Sequence, residues 1–238
     1  MGTKYDLPTT NPYGIIPKKG LKMKKILLTI IACFCLILLA ETGIDENINM
    51  MLNDISDGSH KIILAKPIEN GTIAELHVYE KMEDNWILNL QVVGFFGRNG
   101  VIANKKEGDG ATPLGVYTFG RAFGVEDDPG SILPYTKLTD NDVWVDDVSS
   151  VYYNQWQSKN NPDADWKSAE DLAKYDIAYK YVLTINYNTK PIVAGLGSAI
   201  FLHCSTDRPT AGCISVPEEA MIYLLGFVDG ETKIAILK

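Results

Sequence analysis

Short runs rich in β-branched and aromatic residues, each closed by Gly, Asn, Asp or Pro, recur along the chain from Lys61 onward. Runs of this kind are typical of strands rather than helices, so residues 61–238 are predicted to form a mainly β domain. The predicted strands are, in chain order, Ile73–Lys81, Trp86–Phe96, Val116–Phe119, Tyr181–Tyr187, Ile200–His203, Cys213–Val216 and Thr232–Leu237.

Two helices are predicted among these strands. The first, Ser168–Tyr175, begins with a residue that can cap a helix and has acidic residues in its first turn. The second, Pro217–Phe227, has proline at its first helical position and apolar residues at helical spacing. The segment between Gly94 and Gly115 is dense in glycine and is predicted to form tight turns. It is not expected to be a phosphate loop, because the Gly-Lys-Ser/Thr that such a loop requires does not follow it.

The beginning of the chain follows a different pattern. Lys22, Lys24 and Lys25 precede the apolar run Ile26–Ala40, which is the order of an export signal. The run is shorter than the roughly 20 apolar residues of a full membrane span. Residues 23–40 are therefore predicted to be a signal peptide or an uncleaved N-terminal membrane anchor, and either form places the rest of the chain outside the cytoplasm.

The segments on either side of this run have no strand pattern. Residues 1–22 are either a disordered cytoplasmic tail or an extension that precedes a true start at Met23. Residues 41–60 are polar and acidic, and they are interpreted as a stalk or linker, or as a short helix, before the domain at 61–238.

Charge excludes one class of partner. The whole chain carries a net charge of −8, and residues 41–238 alone hold 16 basic against 29 acidic residues, a net charge of −13. So acidic a domain repels phosphates, and no cluster of basic and aromatic residues follows Ala40. Nucleic acid is not expected to be a partner.

The candidate chemistry lies where His203 and Cys213 stand ten positions apart, with Gly212 just before the cysteine. Only a thiolate attacks well, and an ordinary thiol is mostly protonated at neutral pH, so we expect one imidazole to hold the sulfur ionised. The amides around Gly212 and Cys213 could stabilise an oxyanion. The pair suits acyl transfer through a thioester, although the spacing alone equally allows a structural histidine at the end of a buried strand.

Cys204 offers alternatives to catalysis. An exported domain permits a Cys204–Cys213 disulfide, which would consume the nucleophile. Alternation along the predicted strand, however, points Cys204 to the opposite face from His203. A zinc site built on His203, Cys204 and Cys213 would need a fourth ligand, and none is suitably spaced, so no metal is expected.

Three stretches of sequence carry a resemblance to a known family. Pro209–Ser215 and the preceding His203 resemble the signature of L,D-transpeptidase (YkuD-type) catalytic domains, in which a histidine precedes a Gly-Cys nucleophile. Lys106–Phe119 and Trp144–Asp147 are similar to the approach to the active site and to the middle segment of that family. The similarity extends from about Trp86 to the C-terminus.

The resemblance implies a β-sandwich catalytic domain with a few short helices, a cysteine acyl-enzyme, no cofactor, and peptidoglycan stem peptides as substrate. It also implies a location in the cell wall or at the outer face of the cytoplasmic membrane. The expected function is an L,D-transpeptidase in which Cys213 is acylated and His203 is the base and acid. The alternatives are an L,D-carboxypeptidase, with water as the acceptor, and a non-enzymatic wall-binding module whose Cys204 and Cys213 are bridged.

Two positions depart from the family pattern. Thr210 begins a Thr-Ala-Gly-Cys sequence where many members have Ser/Thr-His-Gly-Cys, so the role of base falls to His203 alone. Ser215 stands where many members carry an arginine. Arg208 could instead bind a substrate carboxylate, or it could be a solvated residue paired with Asp207. Thr210, Ser215 and Arg208 are the candidate substrate-binding residues.

Overall fold

The structure is a computed structural model that describes residues 46–68 and 71–238. The predicted tail and the predicted signal or anchor segment lie outside these residues. Within the described ranges, no helix is long and apolar enough to cross a membrane.

The mainly β prediction is confirmed. The described residues form two α-helices and a set of strands of two to eleven residues. The helices are α1 (Glu46–Ser56) and α2 (Glu218–Leu225). The strands are β1 (Lys61–Ile68), β2 (Ile73–Met82), β3 (Asn85–Phe95), β4 (Val101–Ile102), β5 (Thr112–Pro113), β6 (Gly115–Gly124), β7 (Tyr135–Lys137), β8 (Asp142–Val145), β9 (Trp156–Ser158), β10 (Ala169–Asp171), β11 (Val182–Ile185), β12 (Phe201–Cys204), β13 (Ile214–Val216) and β14 (Lys233–Ile236).

The predicted sandwich-like packing takes the form of a closed mixed sheet. In the described part of the chain, nine strands pair in the order β11-β12-β13-β3-β2-β1-β14-β6-β7. The sheet closes because β11 also pairs with β6. Most neighbours are antiparallel, but β12 runs parallel to β13, β1 to β14 and β6 to β7. A three-stranded sheet, β10-β8-β9, and the pair β4-β5 complete the fold.

All seven predicted strands are present, with ends that differ by up to about five residues. The strand β1 was not predicted, and neither were six strands of two to four residues, namely β4, β5, β7, β8, β9 and β10. A strand that short shows too few alternations to reveal a period of two. The segment 41–60, for which a stalk and a helix were both open, contains α1, and Leu52 of this helix is fully buried.

The prediction of a helix over Ser168–Tyr175 is wrong. This segment is β10 followed by a short 3-10 helix, Leu172–Lys174. Glu170 pairs with Trp144 of β8, and the Ser168 hydroxyl donates to Asp146 Oδ1 at 2.5 Å instead of capping a helix. Pairing with a neighbouring strand has overridden a local preference for helix. The second helix, α2, is confirmed, and Pro217 is its N-cap.

Alternation along β12 divides the interior into two clusters. Leu202 and Cys204 face the main core, an apolar cluster that also holds residues of β1, β2, β11, β14 and α2. Phe201 faces the aromatic core, which consists of the buried residues Phe123, Leu138, Trp144, Leu172, Tyr179, Val182, Phe201 and Cys213. The two cysteines of the domain therefore lie in different clusters.

Candidate active site

A cleft of about 780 Å³ is lined by both His203 and Cys213. Its walls carry charges of both signs. The cationic lining residues are Arg98, Lys105, Lys174 and Arg208, and the acidic ones are Glu107, Asp146, Glu170 and Asp171. A cleft with this lining can pair with both the carboxylate and the ammonium groups of a peptide.

The parallel pairing of β12 with β13 brings the two predicted catalytic residues to one face. Leu202 lies opposite Ile214, so Cys213 lies beside Phe201. The Phe201 N–H donates to Cys213 Sγ at 3.4 Å. His203 is two residues further along the strand on the same face as Phe201, a displacement of roughly 7 Å. The imidazole and the thiol are thus neighbours along one side of the sheet.

A single hydrogen bond determines which nitrogen of His203 can act as a base. Nδ1 lies 2.8 Å from the backbone oxygen of Cys204. A carbonyl oxygen can only accept, so Nδ1 carries the proton and Nε2 keeps its lone pair. The backbone carbonyl of Cys204 is therefore the group that orients the ring. The edge of the ring also packs against Tyr179, with 5.5 Å between ring centroids.

The resting pair is neutral, which corrects the expectation of a thiolate held by an imidazolium. Burial raises the pKa of the Cys213 thiol to about 12, and the charge of Glu170 raises it further, while the Phe201 N–H and Lys105 act in the opposite direction. Burial lowers the pKa of His203 to about 4. The thiol donates to the Ala199 carbonyl at 3.2 Å. Proton transfer must therefore accompany attack on the substrate.

Thr210 builds the turn that precedes Cys213, the predicted nucleophile. Its hydroxyl accepts from the Gly212 N–H at 3.1 Å and donates to the Cys213 carbonyl at 2.6 Å. Gly212 has φ +152°, and a Cβ there would lie 3.1 Å from the Ala111 carbonyl oxygen, so the position strongly favours glycine. Of the two amides predicted to hold an oxyanion, that of Gly212 already has an acceptor, and that of Cys213 remains.

The other predicted substrate-binding residues have different positions. Arg208 is exposed and lines the cleft, and among the residues described no ion pair joins it to Asp207. Thr210 also lines the cleft. Ser215 is 1% exposed and is not part of the lining. Its register partner is His203, so its side chain lies on the same face of the sheet, but it is buried and does not reach the lining of the cleft.

Sequence reasoning missed a hydrogen-bonded pair beside the histidine. The Tyr179 hydroxyl donates to Glu170 Oε1 at 2.5 Å. Burial raises the pKa of Glu170 to about 7, and the charges of Asp146 and Glu107 add to the effect. Glu170 was interpreted as a favourable charge in a helix's first turn, and only the strand pairing of β10 places it in the cleft.

Lys105 was missed as well. Its side chain is 4% exposed and its ammonium pairs with Asp109 at 2.8 Å. It lines the same cleft as Cys213. The signal available in the sequence was its position directly before the segment Lys106–Phe119 that resembles the transpeptidase family.

The alternatives based on Cys204 are not supported. Both cysteines in the described residues are free. Cys204 Sγ lies 3.8 Å from the Tyr181 carbonyl in the main core, whereas Cys213 belongs to the aromatic core. Over the same residues, no group of three or more His, Cys, Asp or Glu side chains could hold a metal ion. The alternative of a Cys204–Cys213 bridge is therefore wrong.

The YkuD family, described as the L,D-transpeptidase catalytic domain, matches residues 78–236. The chain belongs to this family. The match covers about two thirds of the chain and includes the cleft residues described above.

Several solved structures are similar to this member of the family. The chain is 18% identical to Bd1075 of Bdellovibrio bacteriovorus, with 75% of this chain and 48% of that one covered and a TM-score of 0.41. It is 15% identical to the helical cell shape determining protein Pgp2 of Campylobacter jejuni, with coverages of 75% and 47% and a TM-score of 0.39. It is also 15% identical to the Ldtfm-avibactam carbamoyl enzyme, with coverages of 76% and 49% and a TM-score of 0.36.

The chain spans about half the length of these solved structures. A comparison with curated proteins finds no match.

Proposed function

We propose that this protein is an L,D-transpeptidase that forms peptidoglycan cross-links through a thioester on Cys213. The observation that carries the proposal is the placement of the Cys213 thiol and the unprotonated Nε2 of His203 on one face of the sheet, in one charged cleft. Membership of the transpeptidase family supports the choice of reaction. The family also supports an exported location, in the cell wall or at the outer face of the membrane.

In the first half-reaction, Sγ of Cys213 attacks the carbonyl of an L-configured centre in a stem peptide. The thiol proton passes to Nε2 of His203 as the sulfur–carbon bond forms, so that the buried pair never has to hold separated charges before the substrate arrives. The tetrahedral intermediate then expels the terminal D-residue. Its amine leaves with the proton from His203, and a thioester remains.

In the second half-reaction, an amine of a neighbouring stem attacks the thioester. His203 Nε2 accepts a proton from this amine and returns it to Sγ as the carbon–sulfur bond breaks. If water attacks instead, the same residues perform an L,D-carboxypeptidase reaction. Arg208, exposed at the edge of the cleft, is positioned to bind a carboxylate of the stem peptide.

The test is to incubate the full chain with muropeptides that carry tetrapeptide stems and to follow the products by mass spectrometry. We expect loss of the terminal residue, a thioester adduct on the Cys213 peptide, and cross-linked dimers. The Cys213→Ala variant should give none of these. Tripeptide without dimer would replace the transpeptidase proposal with a carboxypeptidase, and the absence of adduct, dimer and tripeptide would overturn the enzymatic proposal.

A further inference from the structure

Gly197 and Gly212 leave room for one buried side chain, that of Lys105. A Cβ at Gly197 would lie 2.9 Å from Cε of Lys105, and a Cβ at Gly212 would lie 3.6 Å from its Nζ. The aliphatic part of Lys105 therefore passes Gly197, and its ammonium ends beside the residue that precedes the nucleophile. A side chain at Gly197 would overlap the lysine stem, whereas a Cβ at Gly212 would only touch the ammonium.

The Lys105 ammonium has hydrogen-bond acceptors for two of its three N–H donors. Nζ donates to Asp109 Oδ1 at 2.8 Å and more weakly to the Lys106 carbonyl at 3.4 Å. An ammonium has three donors, so in the hydrogen bonds of the described residues one N–H is left for a ligand. Asp109 is itself held by the backbone N–H groups of Lys106 and Ala111, at 2.7 and 2.9 Å.

Attack by Cys213 creates negative charge that few groups here can stabilise. The charged or titratable groups around the thiol are His203 on β12, Glu170 on β10, Tyr179 before β11, and Lys105 after β4. His203 is neutral at rest and Glu170 is a carboxyl group, so Lys105 is the one side chain of this set that brings a positive charge. The Gly212 amide is already bonded to Thr210, which removes one of the two predicted oxyanion donors.

We propose that Lys105 is the buried cation of the active site and stabilises the negative charge that develops on Cys213 Sγ and then on the substrate's carbonyl oxygen. This inference rests on the proposed function and adds a residue to its mechanism. As the Sγ–H proton moves to His203 Nε2, the sulfur electron pair forms the bond to the carbonyl carbon. The carbonyl π pair moves to oxygen, where the free N–H of Lys105 and the Cys213 amide are the donors.

The experiment measures the reactivity of the thiol without any substrate. The full chain is alkylated with iodoacetamide between pH 7 and pH 10, and modification of the Cys213 peptide is followed by mass spectrometry, which separates it from the other cysteines. Below the thiol pKa, the rate is proportional to the thiolate fraction, so each unit of pKa changes it about tenfold.

Lys105→Met keeps most of the aliphatic packing and removes the charge. We expect Cys213 alkylation to slow by about tenfold or more across this pH range. Asp109→Asn keeps the lysine and removes its counter-charge, and we expect alkylation to become about two- to fivefold faster. A purely structural role would move both variants in the same direction. Lys106→Met, at the exposed neighbouring lysine, is the matched control and should leave the rate unchanged.

Unchanged or faster alkylation in Lys105→Met, or slower alkylation in Asp109→Asn, would overturn the role of Lys105. If Lys105→Met does not fold, the direction of the Asp109→Asn change decides alone. These results are independent of the muropeptide assay: a chain that fails that assay but shows the two opposite shifts would refute the proposed function and keep the electrostatic role.

Discussion

Cys204 and Cys213 show what separates a structural thiol from the proposed nucleophile in this fold. Both are buried, and burial raises the pKa of Cys204 to about 11 and that of Cys213 to about 12. Neither burial nor pKa tells them apart. The difference lies on the two faces of the sheet, because Cys204 contacts only the main core, whereas Cys213 lines a cleft together with His203 and Lys105. Reactivity here comes from access and from neighbouring groups rather than from a preformed thiolate.

The largest expected effect is the loss of the nucleophile. Cys213→Ala should lower donor-peptide turnover by at least about 10³-fold, since no other thiol of the described residues lines the cleft. Cys204→Ala, the matched variant in the main core, should keep turnover within about threefold and cost about 1 kcal/mol of stability through lost packing. Turnover is measured by mass spectrometry and stability by denaturant unfolding. Equal losses in both variants would remove the distinction between the two cysteines.

The second prediction concerns the base. His203→Gln keeps a polar side chain at this position but removes the proton acceptor, and acylation of Cys213 should fall by about 10²- to 10⁴-fold. Because the pKa of His203 is about 4, the acid limit of acylation in the unmodified protein should lie near pH 4 rather than near the ordinary histidine value of 6.5. The rate of adduct formation as a function of pH tests both statements, and an acid limit near 6.5 would contradict the second.

The same shift predicts a pH-dependent stability. The unfolded chain binds a proton at His203 below about pH 6.5, and the folded protein does so only below about pH 4. The stability that neutral His203 confers is therefore present above pH 6.5 and is lost as the pH falls to 4, to the extent of about 3 kcal/mol. The free energy of unfolding is measured by denaturant titration across this pH window for the unmodified protein and for His203→Gln. The decrease in the variant should be smaller by about 3 kcal/mol.

A third comparison uses two glycines with positive φ. Gly212→Ala should destabilise the protein by about 1–3 kcal/mol and slow acylation, because its Cβ would crowd the Ala111 carbonyl and shift the turn that carries Cys213. Gly108 also has positive φ, +72°, but a Cβ there meets nothing within 4 Å. Gly108→Ala should therefore carry only the backbone cost, about 1 kcal/mol, with acylation unaffected. Equal acylation rates in the two variants would show that the turn at Gly212 has no part in placing the thiol.

The smallest effect is expected at Glu170. Its pKa is raised to about 7, so the folded state keeps this proton longer than the unfolded state does. The associated stability is complete below about pH 4.5 and is lost as the pH rises through 7, which is the opposite direction to His203. Glu170→Gln should raise the melting temperature at pH 8 by a few degrees and leave it nearly unchanged at pH 4.5.

Asp146→Asn removes another carboxylate from the cleft wall without touching the Tyr179 hydrogen bond, and it is the matched control for Glu170. It should reproduce only a minor part of the gain at pH 8, because Asp146 raises the pKa of Glu170 through its charge alone. If the melting temperature at pH 8 rose more in Asp146→Asn than in Glu170→Gln, the raised pKa would belong to Asp146 and the prediction for Glu170 would be wrong.

Local patterns were sufficient for much of the fold. The strands of five or more residues alternate clearly enough to be predicted, with the exception of β1, and the apolar spacing after Pro217 predicts α2. The segment 168–175 was misassigned because its acidic start suits a helix, while its actual partner, β8, lies some 25 residues earlier in the chain. Short strands that exist only through such pairing leave almost no local pattern.

The amino-acid sequence by itself determined the mainly β class, the pair His203 and Cys213, and the separation of Cys204 onto the other face, because all three follow from residue type and from alternation along a strand. The tertiary structure decided the tautomer of His203, the neutral state of the resting pair, and the places of Glu170 and Lys105. These depend on burial and on contacts between segments far apart in the chain, and no local pattern encodes either of them.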